Sequence, residues 1–103
     1  MNSNYERGES LKIYVWMNYM SVPRNARMIY AVIYKHTKEG TIPASINMDE
    51  FLSWTKVKSK NTIYANIHRL MDKGLIDIIR ENNKPAFRIL KQCEKFDKYE
   101  NWI

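Results

Sequence analysis

The sequence holds one cysteine, Cys93, among 103 residues, and only three glycines and three prolines. A single thiol cannot close an internal disulfide and cannot build a metal site alone. The chain therefore has no disulfide framework and suits a reducing compartment. Three scattered glycines are too few for a phosphate-cradling loop. Long apolar runs are also missing. The longest nearly uncharged stretch, Ile13 to Pro23, is too short and too polar to span a bilayer. Asn2 to Arg7 shows no basic start leading into an apolar segment, so no secretory signal is read and a cytoplasmic protein is expected. His36 and His68 lie far apart, without Cys or Asp at ligand spacing. Ser10, Ser21, Ser45, Ser53 and Ser59 have no accompanying nucleophile motif. No catalytic residue, metal or cofactor is expected, and the chain is not read as an enzyme.

Aromatic residues and positive charge are present in quantity. Seven Tyr and three Trp argue against disorder, and the length suits one domain, 1–103, with a modest core. Lys and Arg number 17 against 11 Asp and Glu, a formal charge of +6 that favours a polyanionic partner. The surplus is concentrated. Between Lys56 and Lys91 there are nine basic and three acidic side chains, so this stretch carries the whole excess and the remainder of the chain is neutral.

Periodicity and local signals divide the chain. Leu11 to Val22 alternates like a strand, but a helix opening after Ser10 is the preferred reading. Pro23 suits a helix start, with Ser21 or Asn25 as cap. Met28, Ile29, Val32 and Ile33 then fall on one side of a helix from Arg24 to His36, with Gly40 as its stop. Thr41 to Asn47 reads as a loop or a brief edge strand. Asn47 and Glu50 have capping-box spacing before a short helix that ends near Trp54 or Thr55. Thr55 to Lys58 is a turn in which Val57 alone is apolar.

Ser59 caps a longer helix from Lys60 to Lys73, whose stripe is Ile63, Ile67, Leu70 and Met71. Gly74 ends it. Leu75 to Ile79 and Ala86 to Leu90 are β-rich and flank the turn signal Glu81-Asn82-Asn83-Lys84. Phe96, Tyr99 and Trp102 are spaced for a short amphipathic helix in the tail. The fold class expected is α+β, mainly α: a helical core with a C-terminal two-stranded wing.

The segment Trp54-Thr55-Lys56-Val57-Lys58-Ser59-Lys60-Asn61-Thr62-Ile63, followed by Leu70-Met71-Asp72-Lys73-Gly74-Leu75-Ile76, resembles the winged helix-turn-helix superfamily of DNA-binding proteins. Val57, Ser59, Thr62, Ile63, Leu70, Gly74, Leu75 and Ile76 stand where that family places its turn residue, helix cap, buried aliphatics and step into the wing. The resemblance implies that Lys60 to Lys73 is a recognition helix and that double-stranded DNA is the partner. Tyr64, Ala65 and Asn66 occupy places that such helices often fill with Arg or Lys.

Elementary chemistry assigns roles beside the resemblance. A helix fits the major groove with its first residues at base edges. Lys60, Asn61, Thr62, Tyr64, Ala65 and Asn66 avoid the apolar stripe, and Asn61 or Asn66 can bond adenine in two-point fashion. Lys56, Lys58, Lys60 and Arg69 suit phosphates, as do the N–H groups that open the helix at Ser59. At the wing tip, Arg80, Asn82, Asn83 and Lys84 suit the DNA backbone or the minor groove.

The aromatic and Met-rich segments 11–22 and 92–103 are read as extensions that cap the core or, preferably, form a homodimer interface. The leading expectation is a sequence-specific transcriptional regulator. A plasmid or phage replication or partition factor, and a winged module that binds protein without gripping DNA, are the alternatives. RNA binding ranks below them, because no strand pairs aromatics with basic residues.

Overall fold

The computed structural model describes residues 11–90. Ser10 as a cap, Cys93 and the tail helix through Phe96, Tyr99 and Trp102 lie outside the described residues. Three helices and a hairpin follow one another along the chain: α1 (Arg24–His36), α2 (Met48–Thr55), α3 (Lys60–Asp72), β1 (Ile76–Glu81) and β2 (Lys84–Ile89). The layout is that of a winged helix.

The segment before α1 forms neither a strand nor a capped α-helix. A single 3-10 segment, Val15–Tyr19, follows an extended Tyr14 whose carbonyl accepts the Met17 N–H at 2.9 Å. The reason is tertiary. Trp16, Met17 and Met20 are all buried, while the alternating Ile13 and Val15 are exposed. A tight turn delivers two adjacent large side chains to the core, and a strand would send one of them outward. Trp16 meets the edges of Tyr30 and Tyr34, with ring centroids 5.9 and 5.3 Å away.

In α1, Pro23 itself is the N-cap and no side chain bonds the first turn, so neither Ser21 nor Asn25 acts as cap. A capping oxygen must come from the residue at the cap position, and both candidates lie two residues from it. The helix buries Ala26, Ile29, Tyr30, Ala31, Val32 and Ile33. It stops at Thr37 rather than Gly40. The fully buried Thr37 hydroxyl donates to the Ile33 carbonyl at 2.7 Å and accepts the Gly40 N–H at 3.1 Å. Lys38, Glu39 and Gly40 then run in the left-handed region, at φ 51, 60 and 81°. A Cβ on Gly40 would lie 3.2 Å from Cβ of Ile89, so glycine here lets β2 approach.

Ala44 settles the loop that follows. It exchanges both backbone bonds with Phe87, at 3.0 and 2.8 Å, an isolated antiparallel bridge at the outer edge of β2. Asn47 caps α2 by accepting the Glu50 N–H at 2.9 Å. The box closes on that side alone, because the Glu50 carboxylate reaches His36 Nε2 at 2.7 Å. Lys56 ends α2 in the left-handed region without a glycine. The Thr55 hydroxyl steadies this turn by donating to the Phe51 carbonyl and accepting the Val57 N–H.

Ser59 caps α3 through the Thr62 N–H, and Gly74, at φ 74°, follows its last turn. In the hairpin, Asn82 and Asn83 both have positive φ, the signature of a two-residue turn whose twist matches that of its strands. β2 begins at Lys84, earlier than the sequence suggests. Pro85 is tolerated because it faces Arg80 one step beyond the Glu81–Lys84 pair, where the alternating ladder needs no donor. Trp16, Tyr30, Phe51, Ile63, Leu70 and Ile76 share one core that fixes α3 against α1, α2 and the sheet.

Candidate nucleic-acid interface

The outer face of α3 follows from its inner one. Ile63, Asn66, Ile67 and Leu70 are buried, and at about 100° per residue this leaves Lys60, Asn61, Tyr64, Ala65, His68 and Arg69 outward. All six are exposed, Tyr64 by 53%. Asn61 is exposed on the first turn. Thr62 is half-buried, with its N–H bonded to Ser59.

Asn66 departs from expectation. It is 8% exposed and its amide donates to the Thr62 carbonyl at 2.8 Å. Position 66 is three residues after Ile63 and four before Leu70, so it stands in the core-facing row. Its polarity masked that spacing in the sequence, and it is removed from the set of base-reading side chains.

The turn before α3 exposes Lys56, Lys58 and Ser59, while Val57 packs against the core. These residues border an open concavity completed by Arg24, Asn25 and Met28 of α1. Sequence reasoning gave Arg24 and Asn25 no part in the site. No local signal links them to a turn thirty residues onward, and the packing of α1 on α3 alone brings them there.

The wing divides into a neutral shaft and a polar tip. Arg88 pairs in register with Asp77, Nε at 3.0 Å and Nη2 at 2.6 Å from the two carboxylate oxygens. The side-chain hydrogen bonds and charge of Asp77 raise the Arg88 pKa above its usual value. One of the basic residues in the positive stretch is thus offset locally. At the tip, Arg80 donates to the Asn83 carbonyl at 3.1 Å, and Asn82, Asn83 and Lys84 are exposed. Between α3 and the wing runs an apolar groove of about 410 Å³, walled by Tyr64, Ile67 and Met71 on one side and by Ile78, Pro85 and Phe87 on the other.

Among the described residues, no group of three or more His, Cys, Asp or Glu could hold a metal ion, and no helix is long and apolar enough to cross a membrane. No family model matches the chain. No curated protein matches it either. A solved structure described as the N-terminal domain of a DNA-binding protein shares its fold, with a TM-score of 0.59 over 100% of this chain and 95% of the other. The two sequences are 17% identical, so the likeness is one of fold.

Proposed function

We propose that this chain binds double-stranded DNA, laying α3 in the major groove and setting the wing tip on the flanking backbone or minor groove. One observation carries the reading. From Phe51 to Met71 no acidic residue occurs, and Lys56, Lys58, Lys60 and Arg69 are all exposed along the turn and α3. A basic, acid-free helix start held rigidly by a core is what phosphate contact requires. The fold neighbour, itself described as part of a DNA-binding protein, supports the same reading.

The finer role is a sequence-specific regulator of transcription in the cytoplasm, without enzymatic activity, that occupies its site and so excludes or recruits other proteins. A replication or partition factor of a plasmid or phage would use the same contacts. A homodimer suits either, because a module of this size buries little DNA-facing surface alone. Ile13 and Val15, exposed on the segment before α1, supply an apolar patch for the partner copy. A second reading, a winged module that binds protein, is favoured by the apolar groove beside the uncharged Tyr64 and Ala65.

Binding to mixed-sequence duplex at two salt concentrations separates these readings. Duplex binding that weakens steeply with salt is expected, because each neutralised phosphate releases counterions. No binding at low salt sinks the proposal in favour of the protein-binding module. Selection from a random duplex library then gives target and symmetry together. A dimer selects two half-sites about 34 Å apart, one helical turn.

A further inference from the structure

We infer that Arg24 and Asn25, at the start of α1, form with Lys56 and Lys58 a backbone clamp for the DNA strand on the side of α3 away from the wing. This rests on the duplex-binding reading and extends it to a helix outside the helix-turn-helix.

A helix of about 10–12 Å diameter fills a major groove about 12 Å wide, so a phosphodiester strand borders it on each side. In this molecule the two sides of α3 are built differently. Tyr64 marks the side that faces the wing across the apolar groove. Thr62 marks the side that faces the concavity. Two residues apart on a helix means about 200° around its axis, so these side chains flank the outer face that carries Asn61 and Ala65. The wing tip serves the strand on the Tyr64 side. On the Thr62 side, among the described residues, the concavity stands beside α3.

The composition of that concavity suits a phosphate. Arg24 comes from α1, Lys56 and Lys58 from the turn, and Ser59, Thr62 and Asn25 add neutral polar groups. Among the described residues, no acidic side chain lines it. Arg24 and Lys58 are exposed, and neither makes an ion pair among the described residues. Its rigidity comes from the core. Ala26, Ile29, Tyr30 and Ile33 of α1 are buried in the same cluster as Ile63, Ile67 and Leu70 of α3. The backbone positions of Arg24 and Lys58 are therefore set before DNA arrives, and only their side chains are left to order on binding.

The test uses the full chain and a short mixed-sequence duplex, with affinity followed against salt. Arg24→Gln is expected to bind all duplexes more weakly and to flatten the log–log salt slope by about one unit, as does Lys58→Ala. Arg24→Lys restores the slope. Asn25→Asp, which puts a negative charge in the concavity, weakens binding. Lys38→Gln, at the far end of α1, keeps the wild-type slope. An unchanged thermal midpoint for Arg24→Gln ties its loss to contact rather than folding. A wild-type slope in Arg24→Gln beside a flattened one in Lys58→Ala overturns the clamp and leaves the duplex-binding reading standing. Wild-type protein that binds no duplex at low salt overturns both.

Discussion

The side-chain amide of Asn66 donates to the carbonyl of Thr62, 2.8 Å away and one turn back along α3. A residue type that reads adenine well is spent on the helix's own backbone, while Asn61 stands exposed on the first turn. The two asparagines should therefore respond in opposite ways to truncation. Asn61→Ala is expected to relax base preference at one position of a selected site and to leave stability within error. Asn66→Ala should cost about 1 kcal/mol in denaturant unfolding and leave the selected sequence intact. A changed sequence preference in Asn66→Ala would return that residue to the interface.

Charge on the wing is expected to divide in the same way. Arg88 is held by Asp77 through two hydrogen bonds, so the pair presents little net charge to a phosphate. Arg88→Gln and Asp77→Asn changed together, which removes both charges, should leave the salt slope of duplex binding almost unchanged. Lys58 and Lys60 changed together to Ala should flatten it by about two units. Equal effects from the two variants would mean that Asp77 does not screen Arg88.

Gly40 couples the end of α1 to the sheet. At φ 81°, with Ile89 Cβ only 3.2 Å from where a Cβ would sit, Gly40→Ala meets both backbone strain and crowding. A loss of about 1–2 kcal/mol is expected from the left-handed conformation alone. Chemical denaturation reads it, and a loss below a few tenths would show that residue 40 leaves the left-handed conformation in the variant.

The wing turn offers a separation of shape from chemistry. Asn83 has φ 64°, which glycine adopts without strain. Asn83→Gly should keep or slightly raise the thermal midpoint. If the Asn83 side chain meets DNA, the same substitution lowers duplex affinity although the hairpin is intact. Unchanged affinity would confine the tip's contribution to Arg80, Asn82 and Lys84.

Local chemistry explains how much of this molecule its sequence determined. Asn47 and Ser59 are caps because each offers an oxygen at the residue before a helix. Thr55 to Lys58 reads as a turn because one apolar residue stands among polar ones. Asn82-Asn83 reads as a hairpin tip because both residues tolerate positive φ. Such signals act within four or five residues, so α1, α2, α3 and the two strands were legible almost to their ends. The exposed candidates Lys60, Asn61, Tyr64 and Ala65 followed from the period of α3.

Tertiary structure decided what no such window contains. Burial of Trp16, Met17 and Met20 imposed a 3-10 segment on a stretch whose alternation suggested a strand and whose start suggested an α-helix. Pairing with Phe87 bridged Ala44 to the edge of β2, and the register of the hairpin set Asp77 opposite Arg88. The core-facing row of α3 took Asn66 inward, since a helix orients its side chains by position and a polar one there can satisfy itself on the preceding turn. Arg24 reached the turn before α3 because α1 packs across α3. Charge can be counted along a chain, but the fold decides which charges share a surface.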